Sequence, residues 1–172
     1  PELHDASSAS ALSVALVDMA PKLLSLIISF LTVCVIWLNH HRLFTLLATV
    51  DVPLFWLNAN LLLWVSVIPF PTALIGDYPG NALALSFYGV VMALMAAAFV
   101  FMRLHMQRPE CLHTEVDARE FRSGTVWATI LGPVAYLAGA LLSWLWPPLA
   151  FAIYLGIPLY FVLPHAVRAR AG

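Results

Sequence analysis

Five apolar runs that contain no Asp, Glu, Lys or Arg limit this chain's folding options more than any other feature. They cover about residues 23–38, 54–70, 82–102, 125–146 and 149–163. Each is near the length that crosses ~30 Å of hydrocarbon as a helix. Backbone N–H and C=O groups have no water to bond within lipid, so such runs must close their hydrogen bonds internally. The expected fold is all-α: a polytopic helical membrane protein forming one transmembrane domain over residues 1–172. Proline pairs and the sequence Gly76-Asp77-Tyr78-Pro79-Gly80 punctuate the turns.

Composition points the same way. Charged residues make up 10% of the 172 positions and hydrophobic ones 62%, whereas soluble domains carry ~25% charge. Mean hydropathy is +0.91. A formal charge of −1 gives no basis for a nucleic-acid partner. Cys34 lies in an apolar run and Cys111 in a polar loop. Different membrane levels for the two make a disulfide unexpected.

Arginines set the orientation. Arg42 follows the first run, Arg103, Arg108, Arg119 and Arg122 lie between the third and fourth, and Arg168 and Arg170 follow the fifth. Alternating spans place all of these on one side, the cytoplasm. The opposite side holds Lys22 with Glu2, Asp5, Asp18 and Asp77. The expected N-terminus is therefore outside and the C-terminus inside, with residues 103–124 as a cytoplasmic loop. Residues 1–21 form an outer connection, of which 9–20 suit a short helix at the membrane surface. An outer start without an export signal calls for a helix ahead of Pro1.

Polar side chains concentrate at one end of the first hairpin. The sequence reads Trp37-Leu-Asn-His-His41-Arg-Leu-Phe44, then Val50-Asp51, Trp56-Leu-Asn58, Val65-Ser66, Pro69-Phe-Pro71-Thr72 and Gly76-Asp77-Tyr78-Pro79. Trp37 and His41 share a helix face, with His40 about 100° away. Trp56, Asn60 and Trp64 form a stripe on the second run, and Asn58 points the other way. Asp51 is placed to accept from a histidine or to cap the second helix ahead of Val52-Pro53. Two readings stand: interfacial anchoring, common for Trp and His, or packing against a neighbouring helix. The position of Asn58 inside an apolar run favours packing.

This pattern resembles the transmembrane protein 175 family, potassium channels of lysosomes and of prokaryotic membranes. The resemblance implies a unit of six spans, of which five are present here. The family's first helix, with its Arg-x-x-x-Phe-Ser-Asp signature, is not found in this sequence. The resemblance further implies a homotetramer of a prokaryotic cell membrane, with potassium as the permeant ion and a pore lined by that first helix. The polar knot of Trp37, His40, His41, Asp51 and Asn58 would support the pore helix, and the five spans would be its scaffold. A non-conducting membrane scaffold is the alternative.

Two small-residue stripes, Gly89, Ala93 and Ala97 on the third run and Ala135, Gly139 and Ser143 on the fourth, suit close helix packing within or between subunits. Pro133 and Pro158 are expected to kink the fourth and fifth helices. The loop residues His105, Glu110, Cys111, His113 and Glu115 are metal ligands by type. Their spacing matches no strong motif, and Arg103, Arg108, Arg119 and Arg122 oppose a cation. The expectation is a solvated connector with no metal and no cofactor. No span carries a transporter-type carboxylate, and phosphate-loop, His-Glu-x-x-His and serine-elbow motifs are lacking, so an enzyme is not expected.

Overall fold

The computed structural model describes residues 9–108 and 110–168. Helix α1 spans Ala9–Phe44, α2 Val52–Val67, α3 Pro69–Asp77, α4 Ala82–His105, α5 Ala118–Thr129, α6 Ala135–Leu142 and α7 Pro147–Arg168. A π-helical segment, Ile130–Val134, joins α5 to α6. Among the described residues, four stretches are long and apolar enough to cross a membrane: Leu26–Phe44, Val52–Asp77, Ala82–His105 and Ala118–Leu142. The apolar part of α7, Pro147–Tyr160, is shorter.

The five apolar runs correspond to these helices, with altered edges. The surface helix expected over 9–20 is not separate: α1 is continuous from Ala9 to Phe44 and passes through Pro21. Its 36 residues extend about 54 Å at helical rise. Ala and Leu, strong helix formers, are frequent on both sides and offset the one hydrogen bond that Pro21 omits. The second span is two helices, α2 and α3, meeting at Ile68, whose backbone stays helical (φ −51°, ψ −42°). Pro69 and Pro71 lack N–H donors there. Thr72 restores contact by sending both its N–H (3.2 Å) and its Oγ1 (2.9 Å) to the Ile68 carbonyl.

The connection expected over 103–124 is shorter at both ends. α4 runs on to His105, so Arg103 sits in its last turn, and α5 begins at Ala118. The fourth span ends at Leu142 and not at 146. Its irregularity lies at Pro133, inside the π segment, where the missing donor is absorbed by the wider turn. Between α3 and α4, Gly80 takes φ 78°, which glycine adopts without a Cβ penalty. Asn81 then caps α4, its Oδ1 accepting from Leu83 N (2.9 Å) and Ala84 N (3.2 Å).

α4 is the central helix and packs on α2, α3, α5, the π segment, α6 and α7. Of its apolar window 56% is buried, against 11% for α1. Lipid is as apolar as leucine, so close packing and hydrogen bonds, not burial alone, hold such helices together. Both are visible where α4, α6 and α7 meet. A Cβ on Gly89 would collide with Tyr154 Oη and lie 2.9 Å from both Ala140 Cβ and the Tyr136 carbonyl. One on Gly139 would run into the Tyr154 ring. Tyr154 fills the notch the two glycines leave and donates to the Leu85 carbonyl at 3.0 Å. Ser143, fully buried, bonds Ser86 Oγ at 2.8 Å and the Ala82 carbonyl at 3.1 Å. Ala93 is buried on α4, while Ala97 on α4 and Ala135 on α6 are half-buried. Gly89, Gly139 and Ser143 thus serve contacts within one chain.

Candidate functional site

The polar residues gather at the end of the bundle where α1 ends, α2 begins and α4 ends. The turn 45–51 and the connection 106–117 lie side by side there. Ala48 N donates to the Cys111 carbonyl (2.9 Å), His113 N to the Leu46 carbonyl (3.0 Å) and Thr49 Oγ1 to the Glu110 carbonyl (2.6 Å). The Leu47–Leu112 bridge completes the clasp.

The residues grouped as one knot separate into three contacts. His40 Nε2 meets Asn58 Oδ1 at 2.7 Å, joining α1 to α2. The His40 ring also stacks on Phe44 at 4.2 Å between centroids. Trp37 and His41 stack in parallel at 5.3 Å on an outward face, with Trp37 61% exposed. Trp56 and Asn60 on α2 are also exposed, and Trp64 is half-buried. Asp51 joins neither His40 nor His41. Its Oδ1 caps α2 by accepting from Leu54 N at 2.9 Å. Its two oxygens lie 2.9 and 2.8 Å from His105 Nε2. The Leu54 N–H is the main reason its carboxyl is held below the ordinary value of 3.8, with His105 adding to it against partial burial.

Cys111 completes this third contact. Its Sγ, a His105 ring nitrogen and an Asp51 oxygen all lie within 4.8 Å of one another. The cysteine is buried, and burial, followed by the Asp51 charge, pushes its thiol pKa up. Of the five loop residues weighed as ligands, the fold therefore brings His105 and Cys111 together and adds Asp51. Glu110, His113 and Glu115 are exposed.

A cavity of about 310 Å³ lies beside this end, between α1, α4, α7 and the span made of α5, the π segment and α6. Its wall includes Asn39, Arg42, Met95, Phe99, Arg103 and Tyr136. Arg103 is well held: Nε donates to Thr125 Oγ1 and Nη2 to the Phe121 carbonyl, both at 3.2 Å, and the guanidinium sits 4.5 Å over the Phe121 ring. Arg42 is not, since its Nη1 is buried without a hydrogen-bond partner among the described residues. In the sequence Arg42 serves only as a topology marker, and Arg103 as a topology marker and as a charge opposing a cation. The signal for more was their spacing: each ends an apolar helix within one turn of a histidine.

Comparison with known proteins bears on all of this. The family model described as endosomal/lysosomal potassium channel TMEM175 matches residues 2–69. A potassium channel of Chamaesiphon minutus is 33% identical over 153 residues, covering 86% of this chain and 74% of the relative. A potassium channel of Streptomyces collinus is 32% identical over 146 residues, 82% of this chain and 70% of the relative. The crystal structure of a lysosomal potassium-selective channel TMEM175 homolog from Chamaesiphon minutus superposes with a TM-score of 0.73 at 30% identity, over 90% of this chain and 79% of that one. With that identity sustained over most of both chains, and with the fold shared, the chain belongs to the TMEM175 family, a family of channels and not of enzymes.

Proposed function

We propose that this chain is a subunit of a potassium-permeable channel, a homotetramer in a prokaryotic cell membrane, and that its five spans are the scaffold of the pore. The observation that carries the reading is the likeness, over 86% of the chain, to a relative named as a potassium channel. Arg42, Arg103, Arg108, Arg119 and Arg122 all belong to the end of the bundle where the two connections clasp. That supports a cytoplasmic placement for this end and for the C-terminus, with the start of α1 outside.

The pore itself is assigned to a helix outside the five spans. Two features support this. The cavity along α1 is bounded by helices on only part of its perimeter, and Arg42 Nη1 lacks an acceptor in its wall. A neighbouring segment carrying a carboxylate or carbonyl would satisfy that donor. α1 also exposes Leu23, Leu26, Ile27, Phe30 and Leu31, a face suited to lipid or to another subunit.

Reconstitution tests the reading. Native protein in liposomes with a potassium gradient is compared with the same protein cut to these 172 residues. Flux from the native form alone supports both the channel and the placement of its pore. Flux from the truncated form overturns the placement, and no flux from either overturns the channel.

A further inference from the structure

The contact of Asp51, His105 and Cys111 has a donor set that the channel reading does not use. The three residues come from three elements: the turn before α2, the last turn of α4 and the connection after it. One offers oxygen, one nitrogen and one sulfur, all within 4.8 Å of one another. We propose that these three side chains bind one zinc-class divalent ion, which ties the 106–117 connection to the 45–51 turn.

Ligand chemistry selects the ion. A thiolate and an imidazole suit zinc and its relatives, whereas magnesium and calcium require all-oxygen shells. Bonds of ~2.0–2.3 Å in a tetrahedron place ligand atoms about 3.3–3.8 Å apart. The Asp51–His105 edge, now 2.8 Å, opens by a few tenths of an ångström, and the wider edges close. On binding, Cys111 releases its proton to solvent, and His105 gives up the Nε2 proton it holds towards Asp51, its neutral ring carrying one proton on Nδ1. Thiolate and carboxylate then balance the two positive charges, so the half-buried site becomes neutral. Three protein ligands leave a fourth position to water.

The surroundings hold the ligands in place before any ion arrives. Leu54 N fixes Asp51 Oδ1, and both carboxylate oxygens already face His105. Cys111 is held through its backbone, its N–H on the Arg108 carbonyl (3.0 Å) and its carbonyl on Ala48 N (2.9 Å). Outer contacts of this kind orient metal ligands. Burial beside a carboxylate disfavours a bare thiolate at Cys111, and a cation reverses that penalty. Arg108 is the opposing charge, but it is exposed and screened by solvent.

Cadmium is the probe, because its bond to a thiolate gives an ultraviolet charge-transfer band. The full chain, purified in detergent and stripped with chelator, is titrated with cadmium and then with zinc. The expected result is one equivalent per chain, with a band that zinc displaces. Cys111→Ser removes the band, Cys34→Ser keeps it, and His105→Gln weakens binding about 10-fold or more. Circular dichroism and a melting curve on each variant establish that it is folded. A band that survives Cys111→Ser, binding unchanged in folded His105→Gln, or no band in the parent chain at micromolar cadmium overturns the proposal. The outcome is independent of whether the protein conducts.

Discussion

His40 on α1 and Asn58 on α2 meet at 2.7 Å across the first hairpin, with Phe44 stacked on the histidine ring one turn below. Both groups are half-buried inside apolar helices, so each is the other's main polar partner. Asn58→Ala leaves the imidazole without that partner and is expected to cost about 0.5–1.5 kcal/mol. A double-mutant cycle with His40→Ala, read by thermal unfolding in detergent, isolates the pair. In the assembled channel the same change alters assembly or gating more than the potassium-to-sodium ratio. A shifted ratio with normal gating contradicts the proposed pore position.

Asp51 serves as both helix cap and partner of His105, and two substitutions separate these roles. Asp51→Asn keeps an acceptor for Leu54 N but loses the charge, whereas Asp51→Ala loses both. The alanine variant is expected to melt lower than the asparagine variant. The folded carboxyl titrates below its ordinary 3.8. Its contribution is therefore complete above that value and disappears as pH falls through the lowered one. Melting curves in acid should lose that part of their slope in Asp51→Asn.

Gly89 and Gly156 make opposite predictions on neighbouring helices. A Cβ at Gly89 meets two rigid atoms at 2.9 Å and the Tyr154 hydroxyl, so Gly89→Ala overpacks the α4–α6–α7 junction and costs about 1–3 kcal/mol. A Cβ at Gly156 meets nothing within 4 Å. Gly156→Ala gains helix propensity instead, about 0.5–1 kcal/mol. Unfolding of the two variants side by side checks both signs.

Arg42→Met keeps the apolar stem and removes the orphaned guanidinium. No hydrogen bond from Nη1 within the described residues is lost. The melting temperature of this chain should hold or rise, while flux from the native protein, or formation of the proposed tetramer, falls. A destabilised chain with full flux contradicts an acceptor supplied from outside these spans.

How far these features can be read from sequence depends on how far apart their parts lie along the chain. The spans are legible because lipid rewards unbroken apolar runs, and Asn58 stands out because it interrupts one. Edges are less legible. Pro21 reads as a boundary, yet α1 continues through it, because helix formers on both sides outweigh one missing bond. Arg103 reads as loop, but its stem is part of α4 and its head is satisfied by Thr125 and Phe121 on α5. The metal-ligand types in the 105–115 loop are visible in sequence. Their partner Asp51 is not, because it lies 54 residues before His105 and reaches it only through the clasp of two connections. The glycine stripes are legible as close-packing signals, but only the fold shows Tyr154 of α7 as what fills them.

The most direct test of the account is a planar-bilayer recording of the purified native protein with potassium on one side and sodium on the other. The account predicts a current whose reversal potential shows potassium passing more readily than sodium. Protein-free current levels from folded, inserted protein, or a reversal that follows the anion gradient, would contradict it.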